Sequence, residues 1–297
     1  MSVMISSQGF EYGVKHFFAP IDGPVQEIVQ NVLKIESPNL LNLFELGSVY
    51  VNNTRWSNWA DQVPSGTQIR VHTKPRRFFC DYDWKSKIIF MNDDFLILNK
   101  PSGLPSHPSV DNKIENSLTQ TEKTLNKKLF ISHRLDTTTE GLIVYGLHNQ
   151  FIREFNQQLQ TQQITKKYVT LLENPERICN EFPTHVIHSM EPSPRAPKKV
   201  VPHLMEGWDL CELVIEDQKK TPADFLWTRI NLLTGRTHQI RAQMAERGTP
   251  VVGDKLYGAQ HLYAPNSDIQ KIALRAQMIE FKSHHQIYKF ELSDSFE

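Results

Sequence analysis

The chain has 297 residues, 39% of them hydrophobic, and 33 Lys+Arg balance 33 Asp+Glu for a formal net charge of zero. That is enough apolar content to bury one large core, or a large and a small one. The charge balance excludes a uniformly basic nucleic-acid coat but leaves room for a basic face, because local patches set binding. Three widely spaced cysteines, Cys80, Cys179 and Cys211, make neither a disulfide framework nor a paired metal motif. The N-terminus lacks the basic start and apolar run of a signal peptide, and no stretch approaches the roughly 20 apolar residues of a membrane helix. The expectation is a protein of a reducing compartment, cytoplasmic and monomeric.

Residues 1–78 read as a small N-terminal module. Val25, Ile28, Val29, Val32 and Leu33 recur at helical spacing after Pro24. The stretch LFELGSVYVNN then predicts a helix ending at Gly47, a strand at Ser48–Val51 and a turn at Asn52-Asn53. GTQIRVHTKPRR adds a second strand and a basic tail at Lys74, Arg76 and Arg77. A helix with a hairpin and basic edges suits a small RNA-binding module; it equally suits an ordinary cap on the main domain.

Residues 79–297 read as the main domain. KIIFMNDDFLILNKPSG holds two apolar runs around Asn92-Asp93-Asp94, which predict two strands and a turn. PSGLPSHPS is a loop by its prolines and glycine. The polar stretch 109–127 contains a helix. LFISHRLD and GLIVYGL read as strands, and Asp136 lies between them. Phe151, Ile152, Phe155 and Leu159 mark a helix face, and KKYVTLLE a strand. EPSPRAPKKVVP is Pro-rich, basic and exposed. DFLWTRINLLTG is a strand leading to GRTHQIRAQMAERG, a helix capped by Thr237 and closed by Gly248. The irregular order of strands and helices predicts an α+β fold with a mixed, mainly antiparallel sheet.

An aspartate such as Asp136 in a loop is most often a turn or cap residue. It also suits a nucleophile, since Arg134 nearby can hold a phosphate or fill a base stack, and Gly141 permits close backbone approach. Arg236, His238 and Arg241 are either a solvated basic face or partners of a carboxylate. An arginine beside a carboxylate nucleophile favours the ionised form that reacts. Tyr168 is either a strand tyrosine or a ring that stacks on an extruded base. His107 is a loop hydrogen-bond donor or a catalyst. The 12 histidines show no metal spacing and no glycine-rich nucleotide motif is present, so neither metal nor cofactor is expected.

Four motifs in order then carry a resemblance: NKPSGLPSHP (99–108), HRLDTTTEGL (133–142), KKY (166–168), and TGRTHQIR with VVGDKLYG (234–241, 251–258). Together they resemble the RluA family of RNA pseudouridine synthases. The resemblance implies the pseudouridine synthase fold, with helices around a central RNA-binding cleft, and isomerisation of uridine to pseudouridine in ribosomal or transfer RNA without cofactor. It implies Asp136 as the essential carboxylate, acting on the sugar, on the base or by way of a glycal. It further implies Arg134 in the gap left by the flipped base, Tyr168 against the uracil and Arg241 paired with Asp136. His133, Ile240, Arg236, His107 and Lys166 are the further substrate contacts expected. Basic clusters at Lys74–Arg77, Lys166-Lys167 and Arg195–Lys199 are the expected phosphate contacts.

Three positions depart from the family pattern: Glu140 where a small Ser or Thr is usual, Gln243 in place of a His, and Arg275 where LHA is common. They leave open an RNA-binding protein with a vestigial site. A phosphatase or dehalogenase would need a DxD-type pair, which HRLDTTT lacks.

Overall fold

In the computed structural model of the protein, residues 3–9, 12–179, 181–264 and 271–294 are described. The chain divides into two compact units, Met1–Cys80 with His107–Gln120, and Asp81–Ser106 with Thr121–Glu297.

The first unit is a five-stranded sheet in the order Ser6–Ser7, Val14–Phe18, Gln68–His72, Val49–Val51 and Thr54–Arg55, antiparallel throughout. Its helices are Val25–Leu33 and Ser37–Leu46, the second closed by Gly47 in the left-handed region. Asn52 and Asn53 both take positive φ, 47° and 62°, the backbone a tight hairpin turn requires. The apolar faces meet in one core that includes Phe17, Val25, Ile28, Leu40, Phe44, Val49 and Ile69. Each such buried side chain contributes roughly 1.5–3 kcal/mol.

Segment 107–120 was read from sequence as part of the main domain, yet it groups with this unit, and its bonds explain why. Arg76 and Arg77 bind Asp111 and Glu115. Ser48 Oγ, Tyr50 Oη and Arg55 donate to the carbonyls of Asp111, Val110 and Ser109. Burial opposes ionisation of Asp111 and Glu115, but the arginine hydrogen bonds outweigh it and hold both carboxyls below the usual range. The basic tail expected to meet phosphate is therefore partly spent at Arg76 and Arg77.

The second unit is built on one eleven-stranded sheet. Its path runs Val200–Val201, Thr184–Met190, Asp209–Lys220, Leu226–Leu232, Thr165–Leu172, Leu274–Ser283, Glu140–Gly146, Phe95–Lys100 and Ile88–Met91. Phe130–Ile131 pairs with Glu140–Gly146, and Gln286–Glu291 with Leu274–Ser283. All pairs are antiparallel except Glu140–Gly146 with Leu274–Ser283. Helix Asn149–Gln160 lays Phe151 and Phe155 on Phe95, Leu142, Val144 and Phe281. Helix Gln239–Glu246 contributes Ala242 to a second cluster with Met190, Val200 and Cys211. The mixed, mainly antiparallel α+β architecture expected from the sequence is the one observed.

Candidate active site

Asp136 sits in the turn that feeds strand Glu140–Gly146, and the loop after strand Phe95–Lys100 cradles it. Ser106 Oγ donates to the Leu135 carbonyl at 2.8 Å and accepts from Leu135 N–H at 3.0 Å. Ser102 Oγ donates to the Thr138 carbonyl, and Gly103 N–H to that of Thr137. Thr139 N–H closes the turn onto the Asp136 carbonyl. Beneath lies Lys100, fully buried, its ammonium donating to the carbonyls of Pro101 (2.9 Å), Leu104 (2.8 Å) and Thr137 (3.4 Å). Burial pulls Lys100 down to about 7, while Asp136 and then Glu140 oppose that fall. The NKPSG motif is thus the mould for the Asp136 turn.

The opposite wall is the helix Gln239–Glu246. Arg241 donates from Nη1 to Asp136 Oδ2 at 3.2 Å and grips Asp254 from Nε and Nη2 at 2.6 and 2.9 Å. Burial works against its charge, but the Asp254 hydrogen bond and the two carboxylates raise its pKa. Its guanidinium lies 5.1 Å from the centre of the Tyr257 ring, a cation–π arrangement. The expected Arg241–Asp136 pair is present; Asp254, which holds Arg241 on its far side, was not assigned from sequence. The signal was available in VVGDKLYG, but an aspartate there also reads as a turn residue.

The helix starts differently from the sequence reading. His238, not Thr237, precedes it, with φ 58° and no side-chain cap bond. Gln239 Oε1 accepts from Arg236 N–H at 3.0 Å and from Thr234 Oγ1 at 2.9 Å, both in the loop before the helix. His238 lies toward Asp136, with Nε2 3.7 Å from Oδ2. Both of these contacts fall on Oδ2; among the described residues, Oδ1 receives no hydrogen bond.

Tyr168 arrives from strand Thr165–Leu172. A register shift between Lys167 and Tyr168 sets Tyr168 opposite Ala276, and Ala276 faces Gly141 on its other side. The shift re-aims the side chain, as bulges do. A Cβ on Gly141 would lie 2.3 Å from the Ala276 carbonyl oxygen, and its φ is +108°, so only glycine lets these strands close. Tyr168 is buried; burial and the Asp136 charge push its hydroxyl above the usual range. Among the described residues, that hydroxyl has no hydrogen-bond partner.

The remaining expected contacts divide. Arg134 is exposed and forms no ion pair among the described residues. Lys166 is half-buried and lowered by burial, with its Nζ close over Gly235. Ile240 is 5% exposed. Arg236 is spent on Asp209 at 3.2 Å. His133 is engaged within the sheet: its Nε2 accepts from Val144 N–H at 3.2 Å and its ring stacks on Phe155. Burial, then Lys166, pushes it down to about 3. A neutral ring occupied by the strand backbone has no Nε2 to offer a substrate. His107 belongs to the segment that groups with the first unit.

The three departures have structural partners. Arg275 Nε donates to Glu140 Oε1 at 2.7 Å, and these residues are register partners across the parallel strands. Two unusual residues therefore form one neutral pair. Gln243 Nε2 lies 3.1 Å from His188 Nδ1 and donates to the Cys211 carbonyl, while its Oε1 accepts from Gln239. Among the described residues no three His, Cys, Asp or Glu side chains are grouped to hold a metal.

A family model described as RNA pseudouridylate synthase matches residues 94–246. The chain is 34% identical over 221 residues to RNA pseudouridine synthase 6, chloroplastic, of Oryza sativa subsp. japonica, covering 66% of this chain and 45% of that protein. It is 29% identical over 228 residues to Ribosomal large subunit pseudouridine synthase C of Buchnera aphidicola subsp. Baizongia pistaciae, covering 74% and 68% respectively. The solved structure of Human RNA Pseudouridylate Synthase Domain Containing 1 shares the fold, with a TM-score of 0.55 at 20% identity over 70% of this chain and 82% of that one. The chain thus spans less than half the length of the rice relative. The matched span contains Asp136, Tyr168 and Arg241, and on that match the chain belongs to the RNA pseudouridylate synthase family.

Proposed function

We propose that the chain isomerises uridine to pseudouridine in RNA, with Asp136 as the carboxylate that begins cleavage of the glycosidic bond. The observation that carries this reading is the asymmetry of Asp136. Arg241 holds Oδ2, Oδ1 is left for the substrate, and the side chain is 22% exposed at the surface of an otherwise buried cluster. A fixed carboxylate with one free oxygen suits attack on the sugar, attack on the base, or assistance to a glycal intermediate.

A base must leave its stack to reach a carboxylate so placed. Arg134, exposed two residues before Asp136, fills the gap, and Tyr168 supplies an aromatic wall and a neutral hydroxyl. The C1′–N1 bond breaks, the freed uracil turns, and a C1′–C5 bond forms; the C5 hydrogen leaves as a proton and N1 takes one up, so composition and oxidation state are unchanged. Arg134, Lys166 and the exposed Arg195 and Lys199 are among the cations available to phosphate.

The substrate is ribosomal or transfer RNA, a reading supported by the Buchnera relative named for the large ribosomal subunit. The test is pseudouridine mapping on RNA from cells with and without the protein, complemented by wild type or Asp136→Asn. The expected result is loss of one or a few sites, restored by wild type alone. Restoration by Asp136→Asn would overturn the assignment.

A further inference from the structure

Two polar side chains beside Asp136 have no part in the account above. His238 Nδ1 lies 3.1 Å from Tyr257 Oη, and Tyr257 Oη accepts from Lys198 N–H at 2.7 Å. A phenol has one proton to give. With Lys198 N–H already donating to the oxygen, His238 Nδ1 is the acceptor that the described residues offer the phenol proton. That arrangement corresponds to the Nε2–H tautomer, and Nε2 is the nitrogen that faces Asp136, 3.7 Å from Oδ2.

That separation exceeds a hydrogen bond, but contacts at catalytic groups often tighten only when substrate is bound. His238 also holds φ 58°, a left-handed conformation that few non-glycine residues adopt, though His is among those that do so more often. Such conformations persist where surrounding structure enforces them, and they cluster at functional sites. The charged groups around the ring are Asp136, Arg241, Asp254 and Lys198; burial outweighs the carboxylates and keeps the imidazole below its ordinary pKa, hence neutral near pH 7.

We propose that Tyr257 and His238 form a positioning relay, in which Tyr257 locks the imidazole with Nε2–H toward Asp136, so that Oδ2 is anchored from two sides and Oδ1 alone is presented to the substrate. The relay rests on the isomerase reading. It also ties the site to the Pro-rich 191–199 segment, because the Lys198 backbone sets the direction of the Tyr257 hydroxyl.

Two measurements on the full chain test it. The first is nitrogen-15 NMR of the imidazoles, with His238→Gln to assign the ring. The wild-type ring is expected as Nε2–H, and Tyr257→Phe is expected to give mixed tautomers. A wild-type Nδ1–H ring overturns the proposal. The second is tritium release from RNA labelled at carbon 5 of uridine, purified from cells lacking the protein. His238→Ala should lower kcat about tenfold, the worth of one hydrogen bond to a charged group, with KM within roughly twofold. His238→Gln places an amide N–H where Nε2–H was and should recover kcat to within about threefold of wild type. An unaltered kcat in His238→Ala, or a Gln variant as slow as Ala, overturns the relay. Absence of release by wild type refutes the isomerase reading instead, and the tautomer measurement still decides the relay.

Discussion

Removing the Arg275 guanidinium strands the Glu140 carboxylate where water barely reaches. The two side chains are 3% and 9% exposed and 2.7 Å apart. Breaking such a pair from one side costs about 3–5 kcal/mol, because the remaining charge is buried without a counterion. For a unit of this size that is a fall in Tm of roughly 6–20 °C. Arg275→His and Glu140→Ser should each show a loss in this range by urea or thermal denaturation. The double variant Glu140→Ser/Arg275→His, which installs the usual family residues at both positions, should return to within about 1.5 kcal/mol of wild type, since replacing a whole buried pair is close to neutral. The coupling energy between the two sites should then exceed about 2 kcal/mol. A coupling below about 0.5 kcal/mol, the ordinary limit of additivity, would refute the reasoning. It would also reopen Glu140 as the mark of a site that has lost its activity.

Asp136→Asn should abolish tritium release while RNA affinity stays within a few fold, checked by filter binding, since an amide of equal size is no nucleophile. Gly141→Ala should destabilise by at least about 3 kcal/mol on denaturation, because a Cβ meets the Ala276 carbonyl at a φ that L-residues avoid. Lys100 titrates at about 7 when folded, against roughly 10.4 in an unfolded chain. Between those values the unfolded chain holds a proton that the folded chain has lost, so wild-type stability should rise with pH across that window relative to Lys100→Met; parallel stability curves would refute it. Binding to RNA should weaken steeply with added salt, and a flat response would count against phosphate contacts.

The parts of this protein legible in sequence are those where local chemistry decides. The Asn52-Asn53 turn, the Gly47 helix end and the apolar strands Phe95–Lys100 and Glu140–Gly146 follow from residue type and period. The grouping of Asp136 with Arg241 and Tyr168 was legible because the motifs carrying them are specific. What escaped notice depends on distant pairing. Strands Val14–Phe18 and Asp209–Lys220 are interrupted by charged residues and gain their place from register with neighbours. Segment 107–120 groups with the first unit through Asp111 and Glu115, whose arginines lie more than thirty positions earlier. His133 reads as a ligand by its place beside Arg134, yet its ring serves the Val144 backbone. Thr237 reads as a cap, but His238 is the residue that precedes the helix, and it makes no side-chain cap bond.

The charges near Asp136 explain why three departures from the family pattern leave its surroundings intact. Lys100, Arg241 and Arg275 are the buried cations of this region, and Asp136, Glu140 and Asp254 the carboxylates that face them. Lys100 is lowered to about 7, but Arg241 faces Asp136 and Asp254 and Arg275 faces Glu140, so no carboxylate is left without a cation in a poor solvent. Glu140 by itself would unbalance that set and crowd the Asp136 turn with negative charge. Arg275, its register partner, cancels it within one hydrogen bond and holds it against the neighbouring strand. Gln243 likewise settles its own amide on His188, Cys211 and Gln239. Each departure is answered by a contact to a residue other than Asp136. The compensation is local: Arg275 answers Glu140, and His188, Cys211 and Gln239 answer Gln243, so these departures add no unpaired group of their own to the surroundings of Asp136.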